Sequence, residues 1–175
     1  VKPAGRSIAA CKIGVVGYGD IGKNVVKRLS GMDATVVIFD PFADHQELEV
    51  RLWDADLSDI DYFIFTCSLN SSNYHMMDET AISRMRHGVG IVNVARGSLI
   101  NESDLVQALT CGKVGSCALD VFEVEPLPKD SQLRSLPNVV FGSHNASNTE
   151  DAVRIVSALA LTTIARFLSE SDKSV

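Results

Sequence analysis

Gly17, Gly19, Gly22 and Asp40 are the residues whose types and spacing suggest chemistry most directly. The glycines stand in "VVGYGDIGKNVV", a GxGxxG spacing, and the acid closes "ATVVIFD". A GxGxxG match carries little by itself. Here an apolar, β-branched run precedes it, and the helical spacing of Ile21, Val25, Val26 and Leu29 follows. In that context Gly17 permits a tight turn, Gly19 leaves room for a pyrophosphate, and Gly22 lets helix and strand approach closely. The helix N-terminus then faces the phosphates with N–H groups and a favourable dipole. Asp40 lies 23 positions after Gly17. A carboxylate there hydrogen-bonds ribose hydroxyls and repels a 2′-phosphate, so NAD is expected in preference to NADP. The competing reading is a glycine turn without ligand and an Asp that caps the Asp40-Pro41 turn.

A second set is scattered along the later half. "ALDVFEVEP" places Asp120, Glu123 and Glu125 within six positions, and Pro126 ends the segment. Arg96 follows "NVA", and His144 follows "NVVFGS". Taken singly, each has an ordinary explanation. Charged loop residues are usually solvated. Arg96 is equally compatible with a helix cap or a surface pair. A lone histidine is most often a satisfied structural residue, which is how His45, His75 and His87 are read.

These residues need elements to hold them. Strands are expected at "KIGVVG", "ATVVIFD", "DYFIFTC", "VGIVNVA", "VGSCALDV" and "NVVFGS", with "LEVRL" as a possible short extra one. Helical patterns lie between them: "DIGKNVVKRLSG" stopping at Gly31, "DETAISRMRHG" between an Asp78 cap and a Gly88 stop, and "NESDLVQALTCG" capped by Asn101 or Ser103. A long closing helix begins near Thr149. Continuous apolar strands alternating with helices predict an α/β fold, a doubly wound parallel sheet of Rossmann type covered on both faces, forming a single cofactor-binding domain over residues 1–175.

Composition agrees with a globular chain: 175 residues, 46% hydrophobic and 22% charged. A net charge of -6 without a Lys/Arg cluster argues against nucleic-acid binding. Cys11, Cys67, Cys111 and Cys117 show no CxxC spacing, so reduced, mostly buried thiols in a cytoplasmic protein are expected, and no metal. The apolar segment "AVRIVSALALTTIARFL" contains Arg154 and Arg166. It is read as too short and too charged to span a bilayer, hence as a packed helix of a protein without membrane contact.

The segments "GYGDIG", "FDP", "VNVARGSLINESDLVQAL", "GKVGSCALDVFEVEP" and "LPNVVFGSHNAS" together resemble the D-isomer-specific 2-hydroxyacid dehydrogenases, over nearly the whole chain. The resemblance implies a catalytic set of Arg96, Glu125 and His144. Arg96 would hold the substrate carboxylate and polarise the C2 oxygen, His144 would exchange the proton on that oxygen, and Glu125 would pair with the histidine. It assigns Asp20 and Ile21 to the pyrophosphate loop, Val94 and Ala95 to the nicotinamide side, and Asp120 to the nicotinamide carboxamide. The residue types suit the chemistry. A guanidinium grips a planar 2-keto acid with two parallel hydrogen bonds, and proton exchange near neutral pH suits histidine.

The sequence departs from the family at Gly142-Ser143, where Thr-Pro is common, and at Ser68, Leu69 and Asn70, where Pro-Leu-Thr is common. The resemblance implies a homodimer acting on a small D-2-hydroxy acid, phosphoglycerate or glycerate in kind. Family subunits have two lobes, so this chain, which begins at Val1 shortly before the glycine loop, is expected to be the cofactor lobe, with little turnover alone. In it Glu125 is expected to work and Glu123 to be solvated. An alternative is an NAD-sensing corepressor of the C-terminal-binding-protein type, whose corresponding stretch "CSLNSSNYHMM" resembles. A further one, S-adenosylhomocysteine hydrolase, shares the "GYGD" loop but does not match the Arg96, Glu125 and His144 register.

Overall fold

The computed structural model describes residues 5–171. Strands β1 (Lys12–Val16), β2 (Thr35–Phe39), β3 (Glu49–Arg51), β4 (Tyr62–Phe65), β5 (Val89–Asn93), β6 (Val114–Leu119) and β7 (Val139–Phe141) form one sheet. Its order is β3-β2-β1-β4-β5-β6-β7, and every pair is parallel. The order reverses at β1, the switch point at which open α/β sheets bind ligands. "LEVRL" does supply a strand, β3, at one edge.

Helices α1 (Asp20–Ser30), α2 (Glu79–Arg84), α3 (Glu102–Thr110) and α4 (Glu150–Ser171) follow their strands or loops. Asp78 caps α2 by accepting from Ala81 N at 2.8 Å, and Asn101 caps α3 by accepting from Asp104 N at 3.2 Å. The expected run of α2 to Gly88 is shortened. Met85 is extended and 2% exposed in the core, and Lys113 Nζ takes the last carbonyls, Ser83 O at 3.0 Å and Met85 O. Tertiary partners thus end the helix before its glycine.

Alternation along the strands separates two cores. Phe63, Phe65, Ile91, Cys117 and Leu119 face α2 and α3. Ile13, Val15, Val36 and Ile38 pack under Val26 and Leu29 of α1. On that second face, Ile38, Val15, Ile64, Val92, Ala118 and Val140 make one register row across six strands. Ile38 and Val15 are fully buried, the next three are half-buried, and Val140 is 67% exposed. The seven-stranded parallel sheet with flanking helices is the Rossmann-type α/β fold expected.

The chain divides into two compact units after Gly142. The second unit is dominated by α4, and here the sequence reading is corrected. Residues Glu150–Ser169 are long and apolar enough to cross a membrane by length and composition, with hydropathy 1.5 and 0% buried. The expectation that this segment is too short to span a bilayer fails because the helix extends beyond its most apolar part.

Candidate cofactor and substrate site

Both oxygens of the Asp40 carboxylate are engaged at the end of β2. Oδ2 accepts from Tyr18 N at 2.7 Å and Oδ1 accepts from Phe42 N at 2.8 Å. Asp40 therefore shapes the glycine turn as well as facing the cleft, so the capping and binding readings of this residue coexist. Gly17 N donates to Phe39 O at 2.9 Å, and Gly17 has φ +96°, a left-handed conformation that a side chain strains. A Cβ there would lie 2.6 Å from Cys67 Cα. A Cβ on Gly22 would overlap Gly17 O and come 3.1 Å from Thr66 Oγ1. Around Gly19 a Cβ would meet nothing within 4 Å. Gly17 and Gly22 are thus held by packing, whereas Gly19 borders open space. Asp20 and Ile21 begin α1, and Ile21 is 55% exposed.

Thr66, which sequence reading missed, is 9% exposed and holds the turn from β4: its hydroxyl lies 2.8 Å from Gly17 O and 3.1 Å from Val16 O. A cleft of about 520 Å³ opens beside this turn, lined by Gly17, Asp40, Pro41, Phe42, Trp53, Cys67, Asn70, Asn73 and others. Phe42 on its rim is 94% exposed. Burial pushes the Cys67 thiol up to about 11, the Asp40 charge adding to the effect, so at neutral pH it is an uncharged wall of the cleft. An open cradle at Gly19, an N-terminal helix turn and a carboxylate-edged cleft fit a dinucleotide.

Past β5 the chain turns sharply. Asn93, 1% exposed and also missed, accepts from Ala95 N at 3.0 Å and donates to Arg96 O at 2.9 Å. The turn sets Val94 and Ala95 between the strand and Arg96, whose side chain is exposed with Nη1 at 2.6 Å from Ala95 O. Asp120 follows β6 directly, and its N–H donates to Asn93 O at 3.0 Å. Arg96 and Asp120 thus stand on adjacent strand ends. Glu125 accepts from Phe122 N at 3.0 Å. His144 follows β7 in sequence, has φ +57°, and belongs to the C-terminal unit.

Glu123 is not solvated, which corrects the sequence reading. Its Oε1 meets Nε2 of His75, and its Oε2 accepts from Glu102 N at 3.0 Å. Glu123 N in turn donates to Glu102 Oε1 at 2.6 Å. Burial holds the Glu102 carboxyl above its ordinary range, and the nearby Glu123 charge adds to this. His75 lies 48 positions upstream of Glu123, so no local pattern announced the pair. Among the described residues no group of three or more His, Cys, Asp or Glu side chains could hold a metal.

Comparison with known proteins places this geometry. Residues 1–146 match the family model described as D-isomer specific 2-hydroxyacid dehydrogenase, NAD binding domain. The chain is 36% identical over 157 residues to a hydroxypyruvate reductase of Thermotoga maritima, covering 87% of this chain and 51% of that protein. A solved glyoxylate reductase from Paecilomyes thermophila superposes with TM-score 0.86 at 30% identity, covering 93% of this chain and 51% of the other. A probable 2-hydroxyacid dehydrogenase from Rhizobium etli, solved with NADP, gives TM-score 0.84 at 27% identity over 95% of this chain and 56% of the other. The chain therefore spans about half the length of these relatives.

Proposed function

As this chain belongs to the D-isomer-specific 2-hydroxyacid dehydrogenase family and is an NAD-binding domain of it, we propose that it serves the reversible, NAD-dependent reduction of a small 2-oxo acid to its D-2-hydroxy acid, phosphoglycerate- or glycerate-like in kind. The observation that carries the reading is the pairing of strand ends: a dinucleotide turn after β1 and, two and three strands away, Arg96 and Asp120 tied together through Asn93. Gly17, Gly19, Gly22, Asp20, Ile21 and Asp40 would hold the cofactor, with Val94, Ala95 and Asp120 toward its nicotinamide end. When bound, the cofactor supplies or takes the hydride.

The rest falls to side chains. Arg96 offers two parallel N–H donors to the substrate carboxylate and draws electron density from the C2 oxygen. Its exposed position and fixed backbone suit a group that must meet a diffusing anion. The resemblance assigns proton exchange at the C2 oxygen to His144 and the partner carboxylate to Glu125. The same resemblance suggests a homodimer, and the cysteine pattern a cytoplasmic setting; sedimentation at micromolar concentration tests the dimer. The test of function is a screen of the longest reading frame containing this chain against hydroxypyruvate, glyoxylate, pyruvate and phosphohydroxypyruvate with NADH. NADH binding without turnover of any 2-oxo acid would instead favour the corepressor-like, cofactor-sensing role.

A further inference from the structure

Three segments distant in sequence meet at Glu123. The first is the loop after β4, which lines the cofactor cleft with Cys67, Asn70 and Asn73 and ends at His75. His75 has φ +51°, a left-handed conformation rare outside glycine, and its N–H donates to Ser98 O at 2.8 Å. The second is the turn after Arg96. It runs beside that loop through a parallel bridge between Met77 and Ile100, with Met77 N on Leu99 O at 3.0 Å and Asn101 N on Met77 O at 3.0 Å. The third is the segment from Asp120 to Glu125. Gly97 is packed so tightly on it that a Cβ would overlap Phe122 C and lie 2.5 Å from Glu123 N. Glu123 closes the set: one carboxylate oxygen is on His75 of the first segment, and the other is on Glu102 N just beyond the second. Glu102 returns the contact to Glu123 N.

Resting on the dehydrogenase reading above, we propose that Glu123, with His75 and Glu102, is a positioning residue that locks the Arg96 turn and the Glu125 segment to the loop bordering the cofactor cleft, so that cofactor binding orders the substrate-facing groups. The contacts explain why a charged residue in an exposed-looking run is three-quarters covered, its side chain being 24% exposed. They also explain what holds a histidine left-handed: its N–H, its ring and its neighbouring residue are each engaged, Tyr74 stacking on it with centroids 4.0 Å apart. A cofactor touching the 67–73 loop therefore acts on Arg96 and Glu125 through a continuous, doubly bonded path.

The test is amide hydrogen exchange on this chain, with and without saturating NADH, for the native sequence, Glu123→Ala and His75→Gln. Without cofactor, Glu123→Ala is expected to speed exchange of segments 96–101 and 120–125 together by about tenfold, leaving β1 unchanged. His75→Gln should reproduce part of this, and the double variant should be no worse than Glu123→Ala, because the two act as one unit. NADH should slow exchange of 67–76, 96–101 and 120–125 in the native chain but only of 67–76 in Glu123→Ala. Unchanged exchange at 96–101 without cofactor overturns the proposal, as does acceleration that includes β1, which would make Glu123 a general stability residue. NADH protecting nothing in the native chain would refute the cofactor reading, while the cofactor-free comparison still decides the lock. In the whole protein, kcat for 2-oxo acid reduction should fall with NADH affinity kept within about twofold.

Discussion

Replacing Gly22 and Gly19 separately by Ala should give opposite outcomes, although the two lie three positions apart in one motif. At Gly22 the new methyl overlaps Gly17 O, stands 3.0 Å from Gly17 C and 3.1 Å from Thr66 Oγ1. The overlap is with backbone, which cannot swing aside, so α1 must retreat from β1. Overpacking of this kind costs about 1–3 kcal/mol. Disturbing the Thr66 hydroxyl, which lies 2.8 Å from Gly17 O, adds about 1 kcal/mol. Alanine's better helix propensity returns somewhat less than about 1 kcal/mol in the first turn. The net loss is about 1–3 kcal/mol, a fall in Tm of about 2–12 °C for a chain of this size. Gly19 has φ −76° and open space around it, both acceptable to Ala, so stability should stay within about 0.5 kcal/mol. Its methyl nevertheless enters the space through which a pyrophosphate would approach, and NADH affinity should fall at least about tenfold, or about 1.4 kcal/mol. Thermal unfolding without cofactor and calorimetric NADH titration separate the two effects. Unaltered NADH affinity in Gly19→Ala would show that the phosphates do not pass over this turn, and an unaltered Tm in Gly22→Ala would show that the helix-strand contact is not rigid.

Asp40 should make the chain prefer NADH to NADPH by at least about tenfold in calorimetry; this is a sharp test because a similar solved structure holds NADP. Arg96→Lys should cut kcat/KM for 2-oxo acid reduction by about 100-fold or more, since the charge stays and the fork is lost, with NADH affinity nearly unchanged. Iodoacetamide at pH 8 should label exposed Cys111 first. Cys67, pushed to about 11, and Cys117, pushed to about 12, should react only slowly, their rates rising as pH climbs toward those values; prompt labelling of Cys67 would show that the wall is open. Arg51 holds the Asp59 carboxyl well below its usual range, with Lys12 assisting. Its contribution is therefore present above about pH 4 and lost as pH falls further, so Asp59→Asn should cost about 0.5–1 kcal/mol at pH 7 and progressively less toward pH 3.

What the sequence displayed and what it hid divide along the range of the interactions. The glycine loop and its acid were legible because their constraints act within one strand-turn-helix unit, where a missing Cβ at Gly17 or Gly22 meets atoms fixed by the same motif or by its neighbouring strand. The strands were legible because burial in a parallel sheet leaves continuous apolar runs. The early end of α2 was hidden, since Lys113, Arg84 and the core position of Met85 decide it, not Gly88. Asn93 and Thr66 were hidden for the same reason: each is a small polar residue whose role lies in backbone groups of a turn, and nothing in their local pattern sets them apart.

Glu123 shows most clearly how a sound general rule misleads at a functional site. Charged loop residues are mostly solvated, and within "ALDVFEVEP" Glu123 has nothing to distinguish it from Glu125. The structure separates them by exposure and by partners, but in the opposite direction to expectation: Glu123 is the partly covered, multiply bonded residue, and Glu125 is the exposed one. An acid that must meet a substrate or a proton-bearing partner has to remain accessible, whereas an acid that fixes the path of the chain is best covered, because its hydrogen bonds strengthen as water is excluded. The two glutamates thus divide the work. Exposure would leave Glu125 available for the role the resemblance gives it, while Glu123 ties the loop after β6 to His75 and Glu102.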